Sequence, residues 1–317
     1  MVNLLATIAH HGQVAMILGL LAGFLLKDLA SALKPWLPEM VAGLLFLTAF
    51  RIGAPRAFGG LKDGIASLKS VLILQMLLPL AAVALFWALG IAATPLAVAL
   101  VLMLSAPSVT GSPNITLLLG HAPEPAFRLL ILGTALMPLT VIPVFLLSPE
   151  LGDLWNVLHT SLRLTMTIAV TVGVAFLCRQ LFAPNLQDHH ARAIDGLTII
   201  ALSVIVIGLM AALGPALYRA PYEVAKWLAI VCIANFGLQY LCFRWLIWRG
   251  ARKIAVPTGV VAGNRNFALF LIALPASTTD PLLIFLGCYQ VPMYLTAVVM
   301  RRVYARALPA EALLKDQ

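Results

Sequence analysis

The chain has 317 residues, of which 62% are hydrophobic and 10% are charged. Soluble domains normally contain about 25% charged residues, so this composition excludes a soluble enzyme or a nucleic-acid-binding domain. The net charge of +9 does not change that conclusion, because most of the 21 Lys and Arg residues lie in short segments between apolar runs. We expect an all-α, polytopic protein of the lipid bilayer. We expect no cofactor and no metal site, since the four cysteines show no C-x-x-C spacing.

Ten apolar runs of roughly the length needed to cross a bilayer follow one another along the chain. They cover residues 13–26, 37–50, 70–89, 96–119, 129–147, 156–178, 194–217, 224–243, 254–276 and 282–300. With ten spans, fifteen Lys and Arg residues fall on the side of the two termini and four fall on the other side. Positively charged loops face the cytoplasm. We therefore predict a multi-pass protein of the inner (plasma) membrane with both termini in the cytoplasm.

The ten runs divide into two sets of five at the acidic loop around Glu150 and Asp153. Because five is an odd number, we expect residues 1–150 and 151–317 to form inverted repeats. The fourth run of each half is interrupted by polar and helix-breaking residues, SAPSVTGSPN at 105–114 and PTGVVAGNRN at 257–266. Corresponding interruptions in two halves are the sequence sign of a transporter binding site. The reason is that non-helical backbone at membrane depth must be buried in protein or line a wet cavity.

Six proline and glycine residues are the predicted breaks in these two helices, because each proline removes a backbone donor. They are Pro107, Gly111, Pro113, Pro257, Gly259 and Gly263. Oxygen-bearing side chains beside the breaks, with a threonine on the fifth run, are predicted to line a substrate site. These are Asn114, Asn264, Asn266, Ser112, Thr110, Thr134 and Thr258. In contrast, Gln75, Asn235 and Gln239 are interpreted as polar contacts between helices.

Arg265 is the most informative single residue, because it lies near mid-membrane if the ninth run spans. Placing an arginine there has an insertion cost of about 2.5 to 3.5 kcal/mol, so a compensating group is expected. No carboxylate is predicted at that depth. Two interpretations stay open: Arg265 caps carbonyl groups of a broken helix, or it binds an anionic substrate or replaces a bound cation. In the second case we expect the guanidinium group to face a wet pocket between the interruptions.

Three segments resemble motifs of one transporter family. Residues 107–114 resemble Pro-Gly-Gly-x-x-Ser-Asn, residues 133–138 (GTALMP) resemble Ser-Thr-Leu-Leu-x-Pro, and residues 266–269 (NFAL) resemble the end of Glu-x-Gly-x-Gln-Asn-Ser-x-Leu. Over essentially its whole length the chain resembles the bile acid:sodium symporter family and its bacterial organic-anion relatives. The resemblance implies two inverted five-helix repeats, a panel and a core domain each built from both halves, and discontinuous helices 4 and 9 that cross in the core.

The sodium-binding residues that this resemblance implies are replaced. The family's acid and glutamine on the second broken helix correspond to Val261 and Arg265, and a family serine on the fifth helix corresponds to Leu130. A fixed guanidinium group beside such a site would repel Na⁺. The hypothesis is that the protein keeps the fold without the usual sodium coupling, with Arg265 in the place of a cation.

The favoured function is a secondary transporter of a small or amphipathic organic anion, working by alternating access, with Na⁺ or H⁺ open as the coupling ion. One alternative is a sodium-coupled organic-anion symporter with rearranged ion sites. Another is an intramembrane transferase, but no Asp-rich pair, G-x-S-x-G or H-E-x-x-H motif supports an enzyme. A third alternative is a channel, or a sensor that keeps the transporter fold but does not transport. The sequence does not define an oligomeric state.

Overall fold

The structure is a computed structural model that describes residues 2–10, 12–55, 64–151 and 154–307. Within these ranges every regular element is helical. The helices are α1 (Val2–His10), α2 (Gly12–Leu25), α3 (Lys27–Leu33), α4 (Leu37–Ile52), α5 (Gly64–Leu72), α6 (Leu78–Ala88), α7 (Pro95–Ser105), α8 (Ser112–Leu118), α9 (Glu124–Leu146), α10 (Leu154–Phe182), α11 (Asp188–Arg219), α12 (Pro221–Trp248), α13 (Arg252–Gly263), α14 (Phe270–Ala273), α15 (Ala276–Thr279), α16 (Leu283–Val299) and α17 (Arg301–Ala307). The predicted all-α class is therefore confirmed, while Asp153, at the predicted boundary between the halves, lies outside the described residues.

Seven helical stretches in the described residues are long and apolar enough to cross a bilayer. They are Lys27–Ile52, Gly64–Ala88, Glu124–Leu146, Leu154–Phe182, Asp188–Arg219, Pro221–Trp248 and Ala276–Ala305. Some of these join neighbouring helices end to end, such as α5 and α6 through a π-helical turn at Ile73–Leu77. The protein is thus a polytopic membrane protein.

Three of the ten predicted runs are not continuous helices of spanning length. The first run corresponds to α2, which has 14 residues. The fourth run is split between α7 and α8, and the ninth is split between α13 and a 3₁₀ turn at Phe267–Leu269. The membrane class is confirmed by the seven long helices, and the count of ten helices in inverted repeats stays a prediction.

The chain folds into two compact units. The first unit comprises Met1–Gly60, His159–Ala225 and Ala268–Cys288. Within it, α11 packs against α1, α2, α3 and α4. Small residues permit this close packing: a Cβ atom added at Gly19 would lie 3.0 Å from the backbone oxygen of Ser203.

The second unit comprises Leu61–Leu158, Lys226–Phe267 and Tyr289–Gln317 and contains both interruptions. Its helix α9 packs against α5, α7, α8 and α13. An apolar cluster fills the space between these helices. It consists of Val71, Leu74, Ala126, Leu129, Val261 and Ala262. Each unit draws on chain segments before and after residue 150.

The first interruption follows from local sequence rules. Helix α7 begins at Pro95, behind the N-cap residue Thr94, whose hydroxyl accepts a hydrogen bond from the Ala97 N–H. It ends at Ser105, because Ala106 precedes Pro107 and adopts the extended conformation that a following proline favours. The chain turns helical again at Ser112, so Pro113 begins α8 and does not break it, which corrects the prediction for that residue.

The second interruption lies further along the chain than predicted. Pro257, Gly259 and Gly263 are all part of α13, and the non-helical residues are 264–266. Pro257 is tolerated because its missing N–H affects only the carbonyl of Lys253, in the exposed first turn. A Cβ atom at Gly259 would lie 3.2 Å from the backbone oxygen of Gln239, so this glycine permits close packing of α13 on α12.

Candidate functional site

The two interruptions pair with each other as short antiparallel backbone segments. Ser108 and Arg265 form an isolated bridge. On one side of it the N–H of Val109 donates to the Asn264 carbonyl at 2.9 Å, and on the other the N–H of Asn266 donates to the Pro107 carbonyl at 2.7 Å. Backbone groups that leave the helices are therefore paired across the break, as burial at membrane depth requires.

Three backbone carbonyl groups hold the guanidinium group of Arg265. Its Nε donates to the Ala262 carbonyl oxygen at 2.8 Å, in the last turn of α13. Its Nη1 and Nη2 donate to the carbonyl oxygens of Ala106 and Leu74, at 3.1 Å and 3.2 Å. The residue is 2% exposed. The expectation that this side chain faces a wet pocket is therefore wrong, and the hydrogen bonds are those of an arginine that caps broken-helix carbonyls.

The Leu74 carbonyl is available because of a proline one turn later. In the π-helical turn Ile73–Leu77 the N–H of Leu78 donates to the carbonyl of Ile73, five residues earlier. In the same register the Leu74 carbonyl would accept from residue 79, which is Pro79 and has no N–H. A carbonyl oxygen without a helical partner is thus presented to Arg265. Such π-helical turns occur often at functional sites.

Tyr289 connects the two sides of the second interruption. Its hydroxyl accepts a hydrogen bond from the backbone N–H of Arg265 at 2.9 Å and donates one to the carbonyl of Gly263. The same Gly263 carbonyl also accepts from the Asn235 side chain at 2.6 Å. These bonds replace the helical partners that the backbone loses where α13 ends. They explain why the helix stops there although no proline follows.

A buried polar network fixes Asn264. Its Nδ2 donates to the Val260 carbonyl at 3.0 Å, and its Oδ1 accepts from Asn235 at 3.2 Å and from Thr296 at 3.1 Å. Gln239 extends the network, since it donates to the Asn235 Oδ1 at 2.6 Å. Asn264 is fully buried, and its side-chain oxygen Oδ1 already accepts hydrogen bonds from two donors. Its predicted role as a substrate ligand is therefore replaced by a structural one.

The predicted contacts between helices are confirmed. Asn235 and Gln239 of α12 bond to residues of α13 and α16, as described above, and Gln239 also donates to Thr296 at 3.1 Å. Gln75, in the π-helical turn, donates to the Gly133 carbonyl of α9 at 3.1 Å. Each of these polar side chains is nearly fully buried. They join the helices that surround the paired interruptions.

The remaining predicted site residues differ in accessibility. Thr110, Thr134 and Asn266 are half-buried. Asn266 is bonded to Pro107 through its backbone, and a Cβ atom at Gly133, the neighbour of Thr134, would lie 3.6 Å from the Pro107 side chain. The structure thus brings parts of α9 and of both interruptions together, with polar side chains that are still accessible.

Other predicted residues are placed less favourably for a ligand. Asn114 is exposed on α8, and Thr258 is buried within α13. Ser112 is fully buried, and in the described part of the chain its hydroxyl has no hydrogen-bond partner. Gly111 is the N-cap residue of α8, so it marks the end of the first interruption as predicted.

The described residues at the positions implied for sodium binding do not fit a sodium ion. Leu130 and Val261, at positions where the family resemblance implied oxygen ligands, are buried apolar residues. Three carbonyl oxygens that could coordinate a monovalent cation, those of Leu74, Ala106 and Ala262, already accept hydrogen bonds from the Arg265 guanidinium group. Among the described residues there is also no cluster of His, Cys, Asp and Glu side chains that could hold a metal ion.

The charge of Arg265 has no carboxylate partner in the described part of the second unit. The two carboxylates there are Glu124, the first residue of α9, and Glu150, beyond its last residue. The ion pairs of Lys34 with Asp280 and of Arg51 with Asp195 belong to the first unit. The paired interruptions therefore contain a positive charge that carbonyl dipoles solvate and that no described carboxylate of the second unit neutralises.

Sequence reasoning missed Tyr289 and the Leu74 carbonyl. A signal existed for Leu74, because Pro79 within an apolar run removes a donor and favours an irregular turn. For Tyr289 the sequence shows only an aromatic residue in an apolar helix, so its partners could not be inferred.

Comparison with known proteins does not assign the chain to a family. A scan of protein-family models and a search of curated proteins both give no match to the chain.

Proposed function

We propose that this protein is a secondary transporter that moves an organic anion across the membrane by alternating access, without sodium coupling. The proposal includes the finer architecture of the bile acid:sodium symporter type: ten spanning helices in two inverted repeats, in the inner membrane, with both termini in the cytoplasm. The observation that supports it is the pairing of two interrupted helices around the buried guanidinium group of Arg265. Interrupted helices that meet at membrane depth are typical of transporter binding sites.

The charge of the site favours an anionic substrate. Arg265 contributes one positive charge. The carbonyl groups around it offset part of the free-energy cost of removing the guanidinium group from water, but they do not cancel its charge. Because electrostatic interactions are stronger in a medium of low polarity, a carboxylate or sulfonate near the interruptions would be attracted although it does not touch the guanidinium group. Thr110, Thr134 and Asn266 are accessible hydrogen-bonding side chains that would orient it.

The same charge disfavours a coupling cation. A sodium ion would need carbonyl oxygens such as those of Ala106, Ala262 and Leu74, which already accept hydrogen bonds from the Arg265 guanidinium group. A guanidinium group at this position therefore acts as a fixed cation, present in every step of the cycle. We expect transport that responds to the membrane potential and to the substrate gradient, and that is insensitive to sodium.

The test is uptake of radiolabelled organic acids into proteoliposomes, with a gradient of sodium chloride or of choline chloride. We expect equal uptake in both salts for the transported acid, with saturation and with exchange against unlabelled substrate. Saturable exchange distinguishes a carrier from a pore, and ligand binding without flux would indicate a sensor. Strict dependence of uptake on sodium would refute uncoupled transport. Arg265→Gln should reduce uptake, while Arg163→Gln, which removes an exposed arginine of α10, should not.

A further inference from the structure

Six exposed Lys and Arg side chains are gathered where two spanning helices end. They are Arg244, Arg249, Arg252, Lys253, Arg301 and Arg302, and we call them the basic patch. Arg244 lies in the last two turns of α12 and Arg249 directly follows that helix, the next two residues begin α13, and the last two begin α17. All lie in the second unit. Both Pro221–Trp248 and Ala276–Ala305 are candidate spanning helices, so the basic patch lies at the C-terminal ends of two spans.

A tight turn and an apolar cluster fix the three parts of the patch. Gly250 has a φ of 75° and ends α12: its N–H donates to the Ile247 carbonyl at 3.0 Å, and the Ala251 N–H donates to the Leu246 carbonyl at 2.9 Å. These two bonds are those of a Schellman motif. Beneath the turn lies a cluster of buried residues from all three helices. It consists of Phe243, Leu246, Ala255, Val256, Val260, Met300 and Tyr304.

Within residues 64–151 and 154–307 no negative charge is paired with the basic patch. The segments 226–267 and 289–307 contain no Asp or Glu. None of the six side chains forms an ion pair with a residue that the structure describes. Exposed indole rings adjoin the patch, since Trp245 is 47% exposed and Trp248 is 78% exposed. Tryptophan at the end of a spanning helix is characteristic of the lipid interface.

We propose that the basic patch binds the phosphodiester headgroups of anionic phospholipids. At the ends of two spanning helices the lipid headgroups are the adjacent anions, and clusters of four to eight Lys and Arg at such a position attract them. The tryptophans and the apolar surface of α12 below them, including Leu241, contact the acyl chains of the same lipid. This site is independent of the proposed transport function.

The test uses the full-length protein in detergent, titrated with dioleoyl phosphatidylglycerol or with dioleoyl phosphatidylcholine, and counts bound lipids by native mass spectrometry. The test variant is Arg249→Gln/Arg252→Gln/Lys253→Gln. Its control is Lys27→Gln/Arg219→Gln/Lys226→Gln, which removes the same charge from exposed residues elsewhere. In α12, Lys226 lies 22 residues, or about 33 Å, from Trp248.

We expect the wild-type protein to prefer phosphatidylglycerol, the patch variant to lose about tenfold or more of that affinity, and the control to keep it. Equal affinity of the wild-type protein for both lipids would overturn the proposal. Equal loss in both variants would also overturn it, because net charge and not the patch would then be responsible. If the triple variant does not fold, Arg301→Gln/Arg302→Gln tests the same surface from α17 and should weaken the preference in the same direction.

Discussion

The hydroxyl of Tyr289 accepts a hydrogen bond from the backbone N–H of Arg265 at 2.9 Å, 24 residues earlier in the chain. Tyr289→Phe leaves this buried N–H without a partner, and we expect the free energy of unfolding to fall by about 1 to 3 kcal/mol. The Gly263 carbonyl keeps its bond from Asn235, so the loss is limited to one donor. Denaturation in detergent, followed by circular dichroism, measures it.

The matched control is Tyr294→Phe, one and a half turns later in the same helix. Among the described residues the buried Tyr294 hydroxyl has no hydrogen-bond partner. Its removal should leave stability unchanged or raise it slightly, because an unpaired buried hydroxyl disfavours folding. Equal effects of the two substitutions would contradict the role assigned to Tyr289.

Arg265→Gln should destabilise the protein more than Tyr289→Phe. The glutamine amide has only two N–H donors on a shorter side chain, so at least one of the three buried acceptors that Arg265 serves loses its partner. We expect a loss of about 2 to 4 kcal/mol. Arg265→Lys, which keeps the charge but lacks the planar fork, should recover part of it. Thermal unfolding in detergent compares the variants with Arg163→Gln, for which we expect no change.

Two asparagines separated by one residue should respond differently to alanine. Asn264→Ala removes the centre of the buried network with Asn235 and Thr296, so we expect a large loss of stability. Asn266→Ala removes a half-buried side chain, and we expect stability close to wild type and weaker uptake of the organic anion. Unfolding and uptake measured on both variants test the division. The opposite pattern would show that the site residues are assigned the wrong way round.

The position of the interruptions was partly predictable from sequence. At the first interruption, Pro107 forces the preceding residue, Ala106, out of the helical conformation. This steric effect is local and can therefore be read from the sequence. At the second interruption, Pro257 was a misleading signal, because a proline in the first turns of a helix removes few hydrogen bonds and does not end the helix. The helix end at Gly263 depends on the carbonyl partners that Asn235 and Tyr289 supply from other helices. Contacts between residues so distant in the chain cannot be read from periodicity or from local residue preferences.

The substitution Gly263→Ala tests how closely α13 packs on α12. A Cβ atom at Gly263 would overlap the backbone oxygen of Asn235 and the side chain of Gln239. Gly263→Ala should therefore destabilise the protein by about 1 to 3 kcal/mol, as overpacking does. Gly237→Ala in α12 is the control, because a Cβ atom there meets nothing within 4 Å. Alanine favours the helix over glycine by up to about 1 kcal/mol, so the control should be neutral or stabilising in the same unfolding assay.

His121 gives the protein a predicted pH dependence outside the spanning helices. It lies between α8 and α9, and burial lowers the pKa of its imidazole from the ordinary value of 6.5. The unfolded chain therefore binds a proton at a higher pH than the folded chain does. Stability that is fully present above pH 6.5 is lost as the pH falls from there toward the lowered pKa of the folded state.

His121→Gln should remove this part of the pH dependence, because glutamine does not titrate. The measurement is the free energy of unfolding in detergent at several pH values between 8 and 5, for the wild type and the variant. His189→Gln, which removes an exposed histidine of α11, should leave the wild-type slope in place. Because carboxylates titrate in the same way in all three proteins, the difference between the curves isolates His121. Parallel curves for the wild type and His121→Gln would mean that this imidazole is as free to accept a proton in the folded protein as in the unfolded chain.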